Sequence, residues 1–183
     1  LVFQPQFAWI LAYGWDTLEE TSSGDMTEWP FPLCIGGAQF GVRFQPSEGG
    51  VIDQAGWSLC TGGSEIPSSG DVGIPDWPAD GSGNAVTWSG GSYCLTEGAT
   101  KYAKLGYFAI NPGSAGRITV VADPRIGDAQ MSSRAPGPVI YVVPPAGYSS
   151  ADVDGSVPDN GRKACSEAVP VEQTSWSKIK SLY

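Results

Sequence analysis

The sequence predicts an all-β protein: a sandwich, a jelly roll or a small barrel of about seven to nine short strands with long Gly/Pro-rich loops. Three observations support this fold class. Apolar residues alternate with a period of two. The 183 residues include 25 Gly and 15 Pro, which punctuate the chain at short intervals. Few segments have apolar residues at the spacing of a helix. Because 41% of the residues are hydrophobic, disorder is excluded, and the length predicts a single domain over 1–183.

The strand candidates follow from this alternation. In Phe7–Tyr13, large side chains occupy the odd positions and smaller ones most of the even positions. In Phe40–Phe44, apolar residues alternate with Gly41 and Arg43, which is typical of a half-buried strand with a polar outer face. The remaining candidates are Ala55–Leu59, Ala85–Trp88, Ser92–Leu95, Tyr102–Ile110, Arg117–Asp123 and Pro138–Val143.

Turn-forming segments separate these strands. Asn111–Gly116 has a tight-turn composition, which predicts either a β-hairpin or a short crossing between sheets. Two longer stretches, 65–84 and 146–162, are predicted to be loops, and loops of that length are usually functional or disordered. Helical signals occur at Asp16–Glu20 and at Thr174–Leu182, and the second of these is equally compatible with a closing strand.

The net charge of −9 is unevenly distributed. Residues 1–100 carry twelve acids and one base, whereas residues 101–183 carry seven acids and nine bases. An acidic surface of this kind argues against binding to nucleic acid. No apolar run is long enough to cross a bilayer, so membrane insertion is not expected. Because the sequence begins at Leu1 and not at Met, we expect a piece excised from a longer polypeptide.

The chain has no histidine and four cysteines. The missing histidine excludes a Ser-His-Asp triad, a Cys-His pair and a His-ligated zinc site. The cysteines, which show no CxxC spacing, are compatible either with disulfides or with buried thiols. They are Cys34, Cys60, Cys94 and Cys165, of which Cys60 and Cys94 each follow a Trp-Ser pair and are candidates for neighbouring strands.

Carboxylates are the remaining candidates for acid–base chemistry. A glycosidase needs two of them flanking the scissile bond. Glu65 and Glu97 follow candidate strands and Asp123 ends one, but nothing in the sequence pairs them. We therefore assign no catalytic residue and expect the protein not to be an enzyme.

Calcium is the one cofactor that the sequence allows. Hard cations take several oxygen ligands from flexible loops. Asp71, Asp76 and Asp80 lie in one Gly/Pro-rich stretch, and a second set in another consists of Asp152, Asp154 and Asp159. Solvated turn aspartates are the alternative interpretation of both sets.

Two tryptophans lie in segments predicted to be loops. They are Trp29 and Trp77, each followed by a proline, which is Pro78 in the second case. A loop tryptophan can stack on a sugar ring or anchor a protein interface. We predict Trp29, Trp77 and Pro78 as binding residues; the alternative is that each indole folds back to cap an end of the β core.

A Gly/Pro/Ser/Trp-rich, helix-poor chain without a catalytic motif resembles the protruding domains of small non-enveloped RNA virus capsid proteins. The run Tyr102–Val143, broken by Asn111-Pro112-Gly113 and followed by Pro144-Pro145, has the texture of such β-barrels. The resemblance implies a virion-surface domain that forms dimers or trimers and contacts a host receptor. Two alternatives remain, both secreted: a carbohydrate-binding module that binds glycans, and a β-sandwich glycosidase.

Overall fold

The computed structural model describes residues 6–13, 33–60, 63–88, 93–95, 102–111, 113–133 and 140–153. Within these ranges the chain forms eleven β-strands in two antiparallel sheets, which confirms the all-β prediction. The strands are β1 (Gln6–Tyr13), β2 (Leu33–Pro46), β3 (Gln54–Leu59), β4 (Ser64–Pro67), β5 (Gly83–Thr87), β6 (Tyr93–Leu95), β7 (Tyr102–Ile110), β8 (Gly116–Val121), β9 (Ala129–Ser133), β10 (Ile140–Val143) and β11 (Ser150–Val153). A short 3-10 helix, Pro145–Gly147, joins the last two strands.

Each strand candidate from the sequence overlaps an observed strand. The described residues contain three more, β4, β9 and β11, so that the count exceeds the expected seven to nine. These three strands are polar or rich in small residues, and they form because their backbones pair with stronger neighbours. Parts of β4 and β11 fall inside the predicted loop stretches 65–84 and 146–162. The helical candidates Asp16–Glu20 and Thr174–Leu182 lie outside the described residues.

The larger sheet has eight strands and is centred on β2. The 14 residues of β2 pair with β5 and β6 along one side and with β8 and β9 along the other. Three outer strands complete it: β4 beside β5, β10 beside β9, and β11 beside β8. All of these pairings are antiparallel.

The smaller sheet has three strands in the order β1-β7-β3. Because β7 belongs to this sheet and β8 to the larger one, Asn111–Gly116 is a crossing between sheets and not a hairpin. The Asn111 amide donates to the Asp53 carbonyl oxygen at 2.8 Å, which fixes the crossing next to the start of β3.

The two sheets pack face to face through aromatic side chains. Phe40 and Phe44 of β2 meet Trp57 of β3 and Phe108 of β7. The ring centroids lie 5.5 Å apart for Phe44 and Phe108, 4.9 Å for Trp57 and Phe108, and 6.3 Å for Phe40 and Trp57. This contact is the centre of a β-sandwich core.

The alternation in β1 is oriented with its small residues inward. Ala8, Ile10 and Ala12 are buried in the core, whereas Phe7 and Trp9 lie on the opposite face of the sheet. Ala8 is the cross-strand neighbour of Phe108, so a small side chain stands beside the large ring that fills this part of the core. The described residues contain no helix of the length and hydropathy that a membrane span requires.

Candidate functional site

The predicted binding residues Trp77 and Pro78 lie in the loop 68–82, which connects β4 to β5. The loop is closed by its own hydrogen bonds: the Trp77 amide donates to the Ser68 carbonyl oxygen at 2.8 Å, and the Ser68 hydroxyl donates to the Pro75 carbonyl oxygen at 2.8 Å. The Trp77 ring is half-buried against Trp57, with 5.2 Å between centroids. Trp77 thus folds back onto the core, while Trp29 lies outside the described residues.

A polar network lies beside Trp77. Glu65 Oε1 accepts hydrogen bonds from Trp57 Nε1 and, at 2.9 Å, from Asn84 Nδ2, so this carboxylate joins β3, β4 and β5. Gln54 Nε2 donates to the Pro78 carbonyl oxygen at 2.6 Å. Three buried polar atoms here have no hydrogen-bond partner, namely Gln54 Oε1, Trp77 Nε1 and Asn84 Oδ1.

The three loop aspartates have separate surroundings. Asp76 Oδ1 accepts from the Gly70 amide at 2.8 Å, and Asp80 Oδ1 accepts from the Phe44 amide at 2.7 Å. Asp80 also forms an exposed ion pair with Arg43, with 3.6 Å between Oδ2 and Nη1. In the part of the chain that the structure describes, no three His, Cys, Asp or Glu side chains are grouped so as to hold a metal ion, Asp71, Asp76 and Asp80 included. Calcium binding stays a prediction.

The second aspartate set is described only in part. Asp152 of β11 accepts a hydrogen bond from Arg117 Nε of β8 at 2.8 Å, and both side chains are largely exposed. The hydrogen bond from Arg117 lowers the pKa of Asp152, and the same bond raises the pKa of Arg117. Asp154 and Asp159 lie outside the described residues.

Asp123 is the centre of a buried ionic cluster in the turn between β8 and β9. Its carboxylate is fully buried and accepts hydrogen bonds from the Arg125 guanidinium, with Nη2 2.6 Å from Oδ2. The Arg125 amide and Gln39 Nε2 also donate to it, at 2.8 and 3.1 Å. Arg125 Nη1 in turn donates to the Ile66 carbonyl oxygen of β4 at 2.8 Å. The cluster therefore links the turn to β2 through Gln39 and to β4 through Arg125.

The environment of Asp123 has opposing effects on its pKa. Burial raises the pKa, but hydrogen bonds from the side chain and backbone of Arg125 and from Gln39 outweigh that effect, and the pKa lies below its ordinary value. The hydrogen bond to Asp123 correspondingly raises the pKa of Arg125. Both groups are therefore charged at neutral pH, and their role in the described structure is to hold the turn.

The carboxylates considered for catalysis are not brought together. Glu65 contacts Trp57 and Asn84 on the inner face of the larger sheet, whereas Asp123 contacts Gln39 on its outer face. A glycosidase needs both carboxylates in one cleft, about 5 to 10 Å apart. Glu65 and Asp123 do not form such a pair, and Glu97 lies outside the described residues.

Gly83 gives the Asp123 cluster its space. A Cβ at this position would lie 2.5 Å from the Asp123 carboxyl carbon, so we expect Gly83→Ala to lower the free energy of unfolding by about 1–3 kcal/mol. Urea unfolding of Gly83→Ala, Asp123→Ala and the double variant checks this. Because Asp123→Ala removes the atoms that the new methyl group would meet, Gly83→Ala should cost much less in that background. Equal costs in both backgrounds would contradict the interpretation.

The outer face of the smaller sheet carries an aromatic surface that the sequence did not single out for binding. We define it as Phe7, Trp9 and Tyr107. Tyr107 lies between the other two, with its centroid 5.4 Å from that of Phe7 and 4.9 Å from that of Trp9. The Lys104 ammonium stands 5.4 Å from the centre of the Trp9 ring, a cation–π contact. The three rings are half-buried, and none belongs to the residues packed against the core.

The signal for this surface was present in the strand pattern. The alternation in β1 shows that the side chains on its two faces differ in size, although both faces are apolar. The pattern alone favours burial of the face with the larger side chains. Ala8 and Ala12 were the informative residues, because small side chains permit close approach to a bulky neighbour. The alternation therefore located the aromatic surface without showing that it faces outward.

Cys60, directly after β3, is fully buried and disulfide-bonded. Its expected neighbour Cys94 lies on β6 of the other sheet, where its Cα partner is Cys34 of β2. Cys60 and Cys94 are thus not on neighbouring strands, because Cys60 follows β3 of the smaller sheet and Cys94 belongs to β6 of the larger sheet. The side chains of Cys34 and Cys94, and the whole of Cys165, lie outside the described set.

Comparisons of the chain with protein-family models, with curated proteins and with solved structures found no match.

Proposed function

We propose that this protein is a non-enzymatic surface module that acts by binding. In this proposal it is the protruding domain of a capsid protein, and it mediates contacts between copies and attachment to a host receptor. The observation that carries the binding role is the aromatic surface of Phe7, Trp9 and Tyr107. The solvent-facing side of an antiparallel sheet is ordinarily polar. Rigid aromatic rings are instead typical of contact surfaces, because they bury much area at low cost in side-chain entropy.

Two further observations support an exterior, non-catalytic role. The disulfide at Cys60 is typical of proteins in oxidising surroundings, which include virion surfaces and the extracellular space. Glu65 and Asp123, the described carboxylates considered for catalysis, are each engaged in contacts that hold strands together. The capsid setting is supported by the resemblance in composition and by the all-β architecture.

A second candidate function is a carbohydrate-binding module. The specific observation in its favour is the pair of Trp9 and Tyr107, whose rings lie side by side on a sheet face. Rings with an apolar body and a polar edge suit the alternating apolar and hydroxyl surfaces of sugars. In this case the protein would be secreted and its ligand would be a glycan.

Cell binding by the labelled protein tests the proposal and separates the two candidates. The probes are a panel of cultured cells, either untreated, treated with protease or treated with periodate, and a printed glycan array with and without a calcium chelator. We expect Trp9→Ala to reduce binding by about tenfold or more, since loss of an aromatic anchor costs about 2 kcal/mol. The matched control is Val72→Ala, because Val72 is fully exposed in the loop 68–82, away from the aromatic surface.

Each outcome has a definite meaning. Binding that protease abolishes and that requires Trp9 supports the attachment role. Binding that periodate abolishes, together with hits on the array, supports the carbohydrate-binding module. Loss of array binding in chelator would assign calcium a role. A Trp9→Ala variant that binds like the wild type, or a wild type that binds no cell and no glycan, would overturn the proposal. Trp77→Ala is a poor probe because Trp77 packs on the core.

A further inference from the structure

Strand β10 forms one edge of the larger sheet in the described structure. Strand β10 is the terminal strand of the sheet and pairs with β9 alone among the described strands. An edge strand presents backbone N–H and C=O groups that can pair with another strand, and natural proteins normally block such edges. Proline, charged side chains and β-bulges are the usual means.

Three of the other edge strands carry such features. In β4, Pro67 lacks an amide donor and Glu65 points inward. In β11, Asp152 is charged and paired with Arg117. In the smaller sheet, the edge strand β3 has a register shift between Gln54 and Gly56. Strand β10, with the sequence IYVV, has no charge, no proline and no register shift.

The side chains of β10 add apolar area to this edge. Ile140 and Val142 are 62% and 53% exposed, and both lie on the outer face of the larger sheet next to Ser132 and Gln130 of β9. Exposed β-branched residues on an unblocked edge are typical of a strand that pairs with a further strand.

Charge determines what can pair there. The protein has a net charge of −9, so two copies repel each other over most of their surfaces. The stretch from 129 to 151, which contains β9 and β10, has no acidic residue and a single base, Arg134. Two acidic copies can therefore approach each other through this part of the chain with little repulsion.

We propose that β10 pairs antiparallel with β10 of a second copy, which joins the two larger sheets into one continuous sheet across a twofold axis. Antiparallel pairing of a strand with itself is symmetric, so the same four residues supply both sides of the contact. Ile140 and Val142 of the two copies then lie together on one face. This inference rests on the proposed function, because it identifies the contact between copies that the proposed function includes. The contact uses the β10 edge and not the aromatic surface.

Sedimentation velocity of the full chain between about 1 and 200 µM tests the inference, since weak specific pairing is expected in the micromolar range. We expect a monomer–dimer equilibrium in the wild type. Val142→Lys, which places like charges on either side of the axis, should weaken the dimer at least about tenfold. The matched control is Val72→Lys, the same change at an exposed valine elsewhere. Ile140→Lys is the second edge variant, and thermal unfolding verifies that each variant is folded.

Amide hydrogen exchange gives an independent measurement. The amides of 140–143 should exchange more slowly at high than at low protein concentration, and the Val142→Lys variant should lose this difference. A wild type that stays monomeric at 200 µM, a dimer that Val142→Lys leaves intact, or equal weakening by Val72→Lys would overturn the inference. A dimer insensitive to both edge variants, with binding that still requires Trp9, would refute the β10 contact and leave the proposed function standing.

Discussion

Asp123→Asn is expected to lower the free energy of unfolding by about 3 kcal/mol, because it removes one charge of a buried pair and leaves the other uncompensated. Arg125 would keep its charge while losing the carboxylate that accepts its Nε and Nη2 hydrogen bonds. The turn between β8 and β9 would loosen from Gln39 and, through Arg125, from β4. Urea unfolding at neutral pH measures the change.

The matched control is Asp152→Asn. Asp152 forms the same kind of pair with Arg117, but on the surface, where ion pairs contribute little. We therefore expect Asp152→Asn to change stability far less than Asp123→Asn. Equal effects would show that Asp123 is not held in a buried cluster.

The pH dependence has a definite sign. The pKa of Asp123 in the folded protein lies below its ordinary value of about 3.9, so the unfolded chain takes up the proton first as the pH falls. The contribution of Asp123 to stability is thus complete above about pH 4 and is lost progressively as the pH falls toward the folded-state pKa. The stability difference between the wild type and Asp123→Asn should shrink over that acidic range. A constant difference would contradict the lowered pKa.

Phe108→Ala is expected to lower the free energy of unfolding by about 3–5 kcal/mol, the usual cost of deleting a buried phenyl ring. Phe108 is fully buried and is the ring through which the two sheets meet, in contact with Phe44, Trp57 and Trp77. Its loss would leave a cavity between the sheets that backbones fixed by strand pairing cannot close. Chemical unfolding measures the cost.

The adjacent residue provides the control. Tyr107 points to the opposite face of the same strand, so we expect Tyr107→Ala to cost about 1 kcal/mol, in line with the loss of aromatic pairs on a surface. Tyr107→Ala should instead impair the binding attributed to the aromatic surface. If Tyr107→Ala were the more destabilising change, the orientation of the smaller sheet would be the reverse of the one described.

Several elements were predictable because their side chains specify them locally. Tyr102–Ile110 was predicted with the bounds that β7 has, since aromatic and aliphatic residues continue to a clear stop at Asn111-Pro112. Strands β4 and β9 were not predicted because serine, glutamine and proline carry no strand preference, and only the neighbouring backbone makes them strands. The position of Trp77 depends on hydrogen bonds to Ser68, which a loop composition does not reveal.

In the candidate site, too, some features were predictable from the sequence and others depended on the tertiary structure. Asp123 was recognised as the end of a strand, but its burial depends on Gly83, which lies forty residues away in the sequence and leaves room for the carboxylate. The alternation in Phe7–Tyr13 placed Trp9 among the large side chains at odd positions without deciding which face of the strand is buried. That choice follows from the partner across the strand pair, and no residue within β1 determines it.

By itself the sequence determined the class of fold, because a period of two and frequent Gly and Pro are local properties that any packing must respect. It also determined which chemistry is excluded, through the absence of histidine. The tertiary structure decided which face of β1 is buried, which carboxylate is buried in an ion pair and which strands form the edges of the sheets. The physical reason is that the backbone of a strand by itself favours neither of its two faces for burial and neither of its two edges for pairing. The space left by the opposite sheet decides between the faces, and backbone pairing with strands distant in sequence decides between the edges.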